Sequence, residues 1–153
     1  MTVNFTLNGR EVMAQADPAR LLLDVLRNEF GLTGARYGCG EAQCGSCVVL
    51  VDGAPTHSCG REIGSVAGRS VATVEGLGSA DRPGPLQAAF LAEQAGQCGY
   101  CLPGMLMAAT ALLARTPRPS RAEIVAALDP HLCRCGAHPR ILRAVERAAG
   151  LRE

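Results

Sequence analysis

The sequence predicts an α+β chain in two parts: a mixed strand-and-helix half, then an all-helical half. Three observations predict it. Early apolar residues alternate with polar ones, while later ones recur at helical spacing. The stretch from Gly76 to Pro85 also holds Gly78, Ser79, Asp81, Pro83 and Gly84 and has no periodicity, as a linker does. The eight cysteines fall into two groups of four, one on each side of that linker. The boundary is therefore placed to give units 1–76 and 77–153.

Val3, Phe5 and Leu7 alternate with polar residues as in a half-buried strand. Asn8-Gly9 tolerates positive φ at both positions and supplies a hairpin turn into a second strand, Arg10 to Ala14. Asp17-Pro18 reads as a helix start. Leu22, Leu23, Leu26 and Phe30 share a helical face, and Gly31 sits at the expected C-terminal cap. Arg36 to Cys47 is a Gly-rich loop. Val48 to Val51, Asp52-Gly53 and Ala54 to Ser58 form a second hairpin, and Val71 to Val74 a last strand.

Beyond the linker, Leu86 to Ala95 reads as helical. Pro103 suits the first turn of a helix running to about Arg115. Ser120 and Glu123 make a capping box for a helix to about Leu128. Pro139 opens a final helix through Ala149. The two halves show no internal repeat.

Fifteen basic residues balance 14 acidic ones in 153 residues, with no basic block, which argues against nucleic acid as a partner. The first residues show no basic n-region and no long apolar h-region. The longest apolar run, Met105 to Ala114, falls short of a membrane span. These features predict a cytoplasmic chain with no membrane insertion of its own, export alongside a partner being left open. In that compartment thiols stay reduced and favour metal over disulfides.

The first cysteine group is Cys39, Cys44, Cys47 and Cys59. Its C-x4-C-x2-C run with a later fourth cysteine is the ligand spacing of a plant-type [2Fe–2S] cluster. Gly38, Gly40 and Gly45 let the backbone fold tightly enough for thiolates to converge and for N–H groups to reach sulfur. Disulfides are the bland alternative, but 8 cysteines in 153 residues fall below the roughly 8–10% of disulfide scaffolds. The second group, Cys98, Cys101, Cys133 and Cys135, reads C-x2-C and then C-x-C. Each pair precedes a helix, so two loops can face each other across a metal. On spacing alone zinc is a live rival here.

His57, His131 and His138 lie near cysteines, and a Rieske centre uses two His and two Cys. All eight cysteines already form complete sets, so the histidines are read as surface or loop residues. Asp24, Glu29 and Glu93 are read as solvated helix faces. No Ser–His–Asp set, P-loop or dinucleotide fingerprint occurs, so the catalytic inventory of this chain is empty.

Three motifs carry a resemblance. They are Tyr37-Gly38-Cys39-Gly40-Glu41-Ala42-Gln43-Cys44-Gly45-Ser46-Cys47, Gln97-Cys98-Gly99-Tyr100-Cys101-Leu102-Pro103-Gly104-Met105 and Leu132-Cys133-Arg134-Cys135-Gly136. With them the chain resembles the small iron–sulfur subunit of molybdenum hydroxylases, the xanthine dehydrogenase family, from about Val3 to about Ala149. The resemblance implies a ferredoxin-like (β-grasp) first domain and a four-helix second domain. It implies a [2Fe–2S] cluster in each, and a large partner subunit that binds molybdenum, in bacteria usually as molybdopterin cytosine dinucleotide. It implies that Gln97 contacts the pterin and that Cys135 lies near it. Electrons would pass from molybdenum to the Cys98 cluster, then the Cys39 cluster, then out.

Where many members read Thr-Gly-Tyr after the last ligand, this chain has Gly136-Ala137-His138. With Arg140-Ile141-Leu142, that looks closest to nicotinate and isoquinoline dehydrogenase small subunits. It tilts the expected acceptor towards a c-type cytochrome over a flavin subunit. The expected role is electron transfer during hydroxylation of an N-heteroaromatic compound or oxidation of an aldehyde. The competing classes are a free-standing two-cluster ferredoxin-type carrier and a zinc-bearing interaction module.

Overall fold

The structure, a computed structural model, describes residues 1–152. The first half builds a mixed five-stranded sheet from β1 (Val3–Leu7), β2 (Arg10–Ala14), β3 (Val48–Val51), β4 (Ala54–His57) and β5 (Ser70–Ala72). Their order across the sheet is β2-β1-β5-β3-β4. β1 and β5 run parallel and the other neighbours antiparallel. Both hairpin turns take the positive φ their sequences allow, 49° and 80° at Asn8-Gly9 and again at Asp52-Gly53.

Helix α1 (Leu22–Asn28) lies on one sheet face. Its Leu22, Val25 and Leu26 join Phe5, Val49 and Val71 in the first core. α1 starts later than Asp17-Pro18 suggests. Asp17 instead closes a turn, its carboxylate accepting from the Ala19 N–H at 2.9 Å. Leu21 is held extended by a bridge to Glu62, and the Leu22 N–H donates to the Arg61 carbonyl at 2.7 Å. A distant segment thus sets the helix start. β5 ends at Ala72 instead of Val74, because Val74–Gly76 turns into a single 3₁₀ turn.

The second half packs four helices: α2 (Pro85–Ala92), α3 (Leu102–Arg115), α4 (Arg121–Leu128) and α5 (His138–Ala148). Their core gathers Phe90, Met105, Ala109, Ile124, Leu128 and Ile141. α4 begins with the expected capping box between Ser120 and Glu123. Glu93 is not a solvated face. It caps α2 and pairs with Arg143 at 3.3 Å and Arg147 at 3.2 Å, tying α2 to α5. Asp24 pairs with Arg20, and Glu29 accepts from the Gln15 N–H.

The halves are packed together. All four β3 residues are buried. Val49 and Val51 face the first core, while Val48 and Leu50 meet Met107 and Ala111 of α3 on the opposite face. A strand buried on both faces reads as a continuous apolar run, and Val-Val-Leu-Val is one.

Candidate iron–sulfur sites

The first site is built almost wholly from one loop. The Arg36 N–H donates to the Ser46 carbonyl at 3.0 Å and closes it. Inside, the backbone turns back on itself with positive φ at Gly40, Ala42 and Gly45. Those turns aim the N–H groups of Glu41, Gln43 and Cys44 at Cys39 Sγ, at 3.4, 3.3 and 3.3 Å, and the Cys39 N–H at Cys44 Sγ at 3.4 Å. The three amide donors hold the Cys39 thiol down to about 7.

Cys47 and Cys59 lie deeper, 1% and 4% exposed. Burial pushes the Cys47 thiol up to about 11. Ser58 is the residue that sequence reasoning missed here. Wholly buried, it donates from its hydroxyl to the Cys47 carbonyl at 2.6 Å, which seats Cys59 beside Cys47. Its only sequence signal is its place next to the fourth cysteine.

The second site comes from two loops, ahead of α3 and ahead of α5. Gly99 and Gly136, at φ 75° and 71°, make the tight turns. The Tyr100 N–H lies 3.5 Å from Cys98 Sγ and the Ala137 N–H 3.3 Å from Cys133 Sγ. The Tyr100 amide is the main cause holding the Cys98 thiol below its usual range, while burial pushes Cys101 up to about 12. Gln97 is exposed and spans the two loops, its Nε2 donating to the Cys135 carbonyl at 3.3 Å.

In both sites the thiols come in pairs. Cys39 neighbours Cys44 and Cys47 neighbours Cys59; Cys98 neighbours Cys135 and Cys101 neighbours Cys133. Among the described residues, no group of three or more histidine, cysteine or carboxylate side chains is placed to hold a single metal ion. A site of two thiol pairs has the four ligands that a [2Fe–2S] cluster takes.

Contacts across the two halves tie the sites together. Arg36 donates to the Gly99 carbonyl at 2.6 Å and lies 5.2 Å above the Tyr100 ring, whose hydroxyl donates to the Tyr37 carbonyl. The Leu132 N–H donates to the Cys44 carbonyl at 3.0 Å. His131, expected at the surface, is 4% exposed and packs between Gly45 and Gly104, where burial lowers its pKa to about 4. The correction comes from tertiary packing: α3 and the first loop close over it.

A β-grasp sheet with one four-thiol site, joined to a helical bundle with a second four-thiol site, defines a two-cluster iron–sulfur electron carrier. Residues 5–70 match the family described as 2Fe-2S iron-sulfur cluster binding domain, and residues 73–146 the [2Fe-2S] binding domain. A nicotinate dehydrogenase subunit of Pseudomonas putida is 50% identical over 151 residues, 99% of this chain and 96% of that one. The alpha subunit of isoquinoline 1-oxidoreductase from Brevundimonas diminuta is 45% identical, covering 96% of this chain and 97% of its own. The crystal structure of quinoline 2-oxidoreductase from Pseudomonas putida 86 superposes with a TM-score of 0.93 at 39% identity, covering 99% of this chain and 94% of that chain. The chain belongs to the small iron–sulfur subunits of the molybdenum hydroxylases, the xanthine dehydrogenase family. It is an electron-transferring oxidoreductase subunit with two [2Fe–2S] clusters as its cofactors.

Proposed function

We propose that Cys39, Cys44, Cys47 and Cys59 ligate one [2Fe–2S] cluster and Cys98, Cys101, Cys133 and Cys135 the other. The observation that carries this is the grouping of thiols into two pairs at each site. Each cluster takes up and gives out one electron at a time. The chain's own part is to hold the ligands, aim amides at sulfur and keep the sites apposed. We take 1–76 and 77–153 as the two functional units. The rival of a free-standing carrier is disfavoured by the exposed Gln97 and Leu132 beside the second site, which suit a fixed partner surface.

Gln97 is the proposed contact to the pterin of the large subunit's molybdenum cofactor, with Cys135 nearest to it and the cytosine dinucleotide as the expected form. Its Nε2 already reaches the Cys135 carbonyl, so its amide can bridge cofactor and ligand. The holoenzyme then oxidises an N-heteroaromatic compound, with an aldehyde as the second substrate class, and the favoured acceptor is a c-type cytochrome over a flavin subunit. Among the described residues no helix is long and apolar enough to cross a membrane. Eight cysteines given to metal ligation suit assembly in the reducing cytoplasm.

The test is purification of the native complex. A large molybdenum subunit should accompany the chain, with about four irons per copy of this chain and two distinct paramagnetic signals on reduction. Stoichiometric zinc, or a chain that purifies alone, sinks the reading. Gln97→Ala should leave both clusters loaded yet slow substrate-driven reduction of the second. An unchanged rate would confine Gln97 to its bond with Cys135.

A further inference from the structure

Gly45 marks a close approach of the two halves. A Cβ on Gly104 would lie 2.0 Å from the Gly45 carbonyl oxygen, and one on Gly45 would lie 2.4 Å from His131 Nδ1. His131 is thus wedged against the backbone of the first loop and the first turn of α3. Its Nδ1 is buried and makes no hydrogen bond of good geometry, although the Gly45 backbone lies close enough to act on the ring.

The main chain around His131 is fully engaged. Its N–H donates to the Leu128 carbonyl at 2.9 Å, and its carbonyl pairs with His138 Nε2 at 2.9 Å. The next N–H, of Leu132, donates to the Cys44 carbonyl at 3.0 Å. Cys44 belongs to the first site and Cys133 to the second. One hydrogen bond and one residue therefore join ligands of different clusters. The Arg36–Tyr100 contact spans the same seam, but Tyr100 is 47% exposed and the contact engages no ligand's carbonyl.

We propose that His131 is a positioning residue for electron exchange between the clusters: its ring is the spacer that holds segment 131–133 against Gly45 and keeps the Cys44–Leu132 hydrogen bond closed. The proposal rests on the reading that both sites hold clusters. In the exchange one electron leaves one cluster and enters the other, oxidising the first as it reduces the second.

The full chain carrying both clusters suffices for the test. His131→Ala should keep wild-type iron, speed hydrogen exchange at the Leu132 amide about tenfold, weaken the magnetic coupling between the two reduced clusters and slow electron equilibration between them about tenfold. His131→Phe refills the space without a nitrogen and should restore all three readouts. If His131→Ala loses iron, His131→Asn, which keeps a smaller polar side chain, is read in its place. Wild-type exchange, coupling and equilibration in a fully loaded Ala or Asn variant would overturn the proposal, as would a Phe variant as impaired as Ala. A wild-type chain that does not hold two [2Fe–2S] clusters would instead sink the functional reading.

Discussion

The two thiol sites solve one problem by different routes. The first takes three of its cysteines from a single loop of twelve residues, 36–47, and fixes them with short-range amide contacts to Cys39 and Cys44. The second takes two from each of two loops more than thirty residues apart, Cys98/Cys101 and Cys133/Cys135, with Tyr100 and Ala137 as the amides near sulfur. The first site is a local device. The second exists only when α3 and α5 are packed, and its loops are fixed partly by the first half through Arg36 and Leu132. Order at the second site is therefore borrowed from across the seam.

The strongest way to break that dependence is Gly104→Ala. The added Cβ would sit 2.0 Å from the Gly45 carbonyl, and forcing atoms into such a contact costs about 3 kcal/mol or more. Thermal unfolding should fall accordingly, and iron should be lost first from the second site. Equal loss from both sites would show the two to be equally local.

Leu50→Ala probes the seam from the sheet. In the whole chain Leu50 is buried against α3, so truncation should cost about 3 kcal/mol. In a fragment ending at residue 76, Leu50 is surface and the same change should be nearly neutral. The fragment should hold one cluster of plant type, at reduced stability because Val48 and Leu50 are uncovered. A fragment that binds no cluster anaerobically would mean that even the first site needs the second half.

Ser58→Ala sharpens the contrast at the first site alone. Losing a buried hydroxyl donor to the Cys47 carbonyl should cost about 1 kcal/mol. It should speed loss of the first cluster's iron and leave the second cluster's release rate unchanged.

The smallest expected effect lies at the far end of the bundle. Burial would raise the Glu93 carboxyl, but hydrogen bonds from Arg147 and Arg143 outweigh it and hold the pKa below the usual value. A carboxyl depressed on folding stabilises the fold above its unfolded pKa and loses that contribution as pH falls through the folded value. Melting profiles of the wild type and Glu93→Gln should therefore converge in acid below pH of about 4 and separate at neutral pH. Parallel profiles would remove Glu93 as a clasp between α2 and α5.

The sequence alone determined the α+β class, the two halves and the two sets of four cysteines. These depend on short-range pattern: alternation, helical spacing, Asn8-Gly9 and Asp52-Gly53 turns, and ligand spacing in one loop. It also determined the family, because the motifs around Cys39, Cys98 and Cys133 are contiguous. Tertiary structure alone decided what lies between these segments. Leu21 and Glu62 pair across 41 residues of chain and delay α1, which no local signal encodes. β3 is buried on both faces because α3 covers the side a lone hairpin would leave wet. His131 is buried and Glu93 paired because distant elements close over them, so burial and ion pairing are set by contacts that spacing does not record.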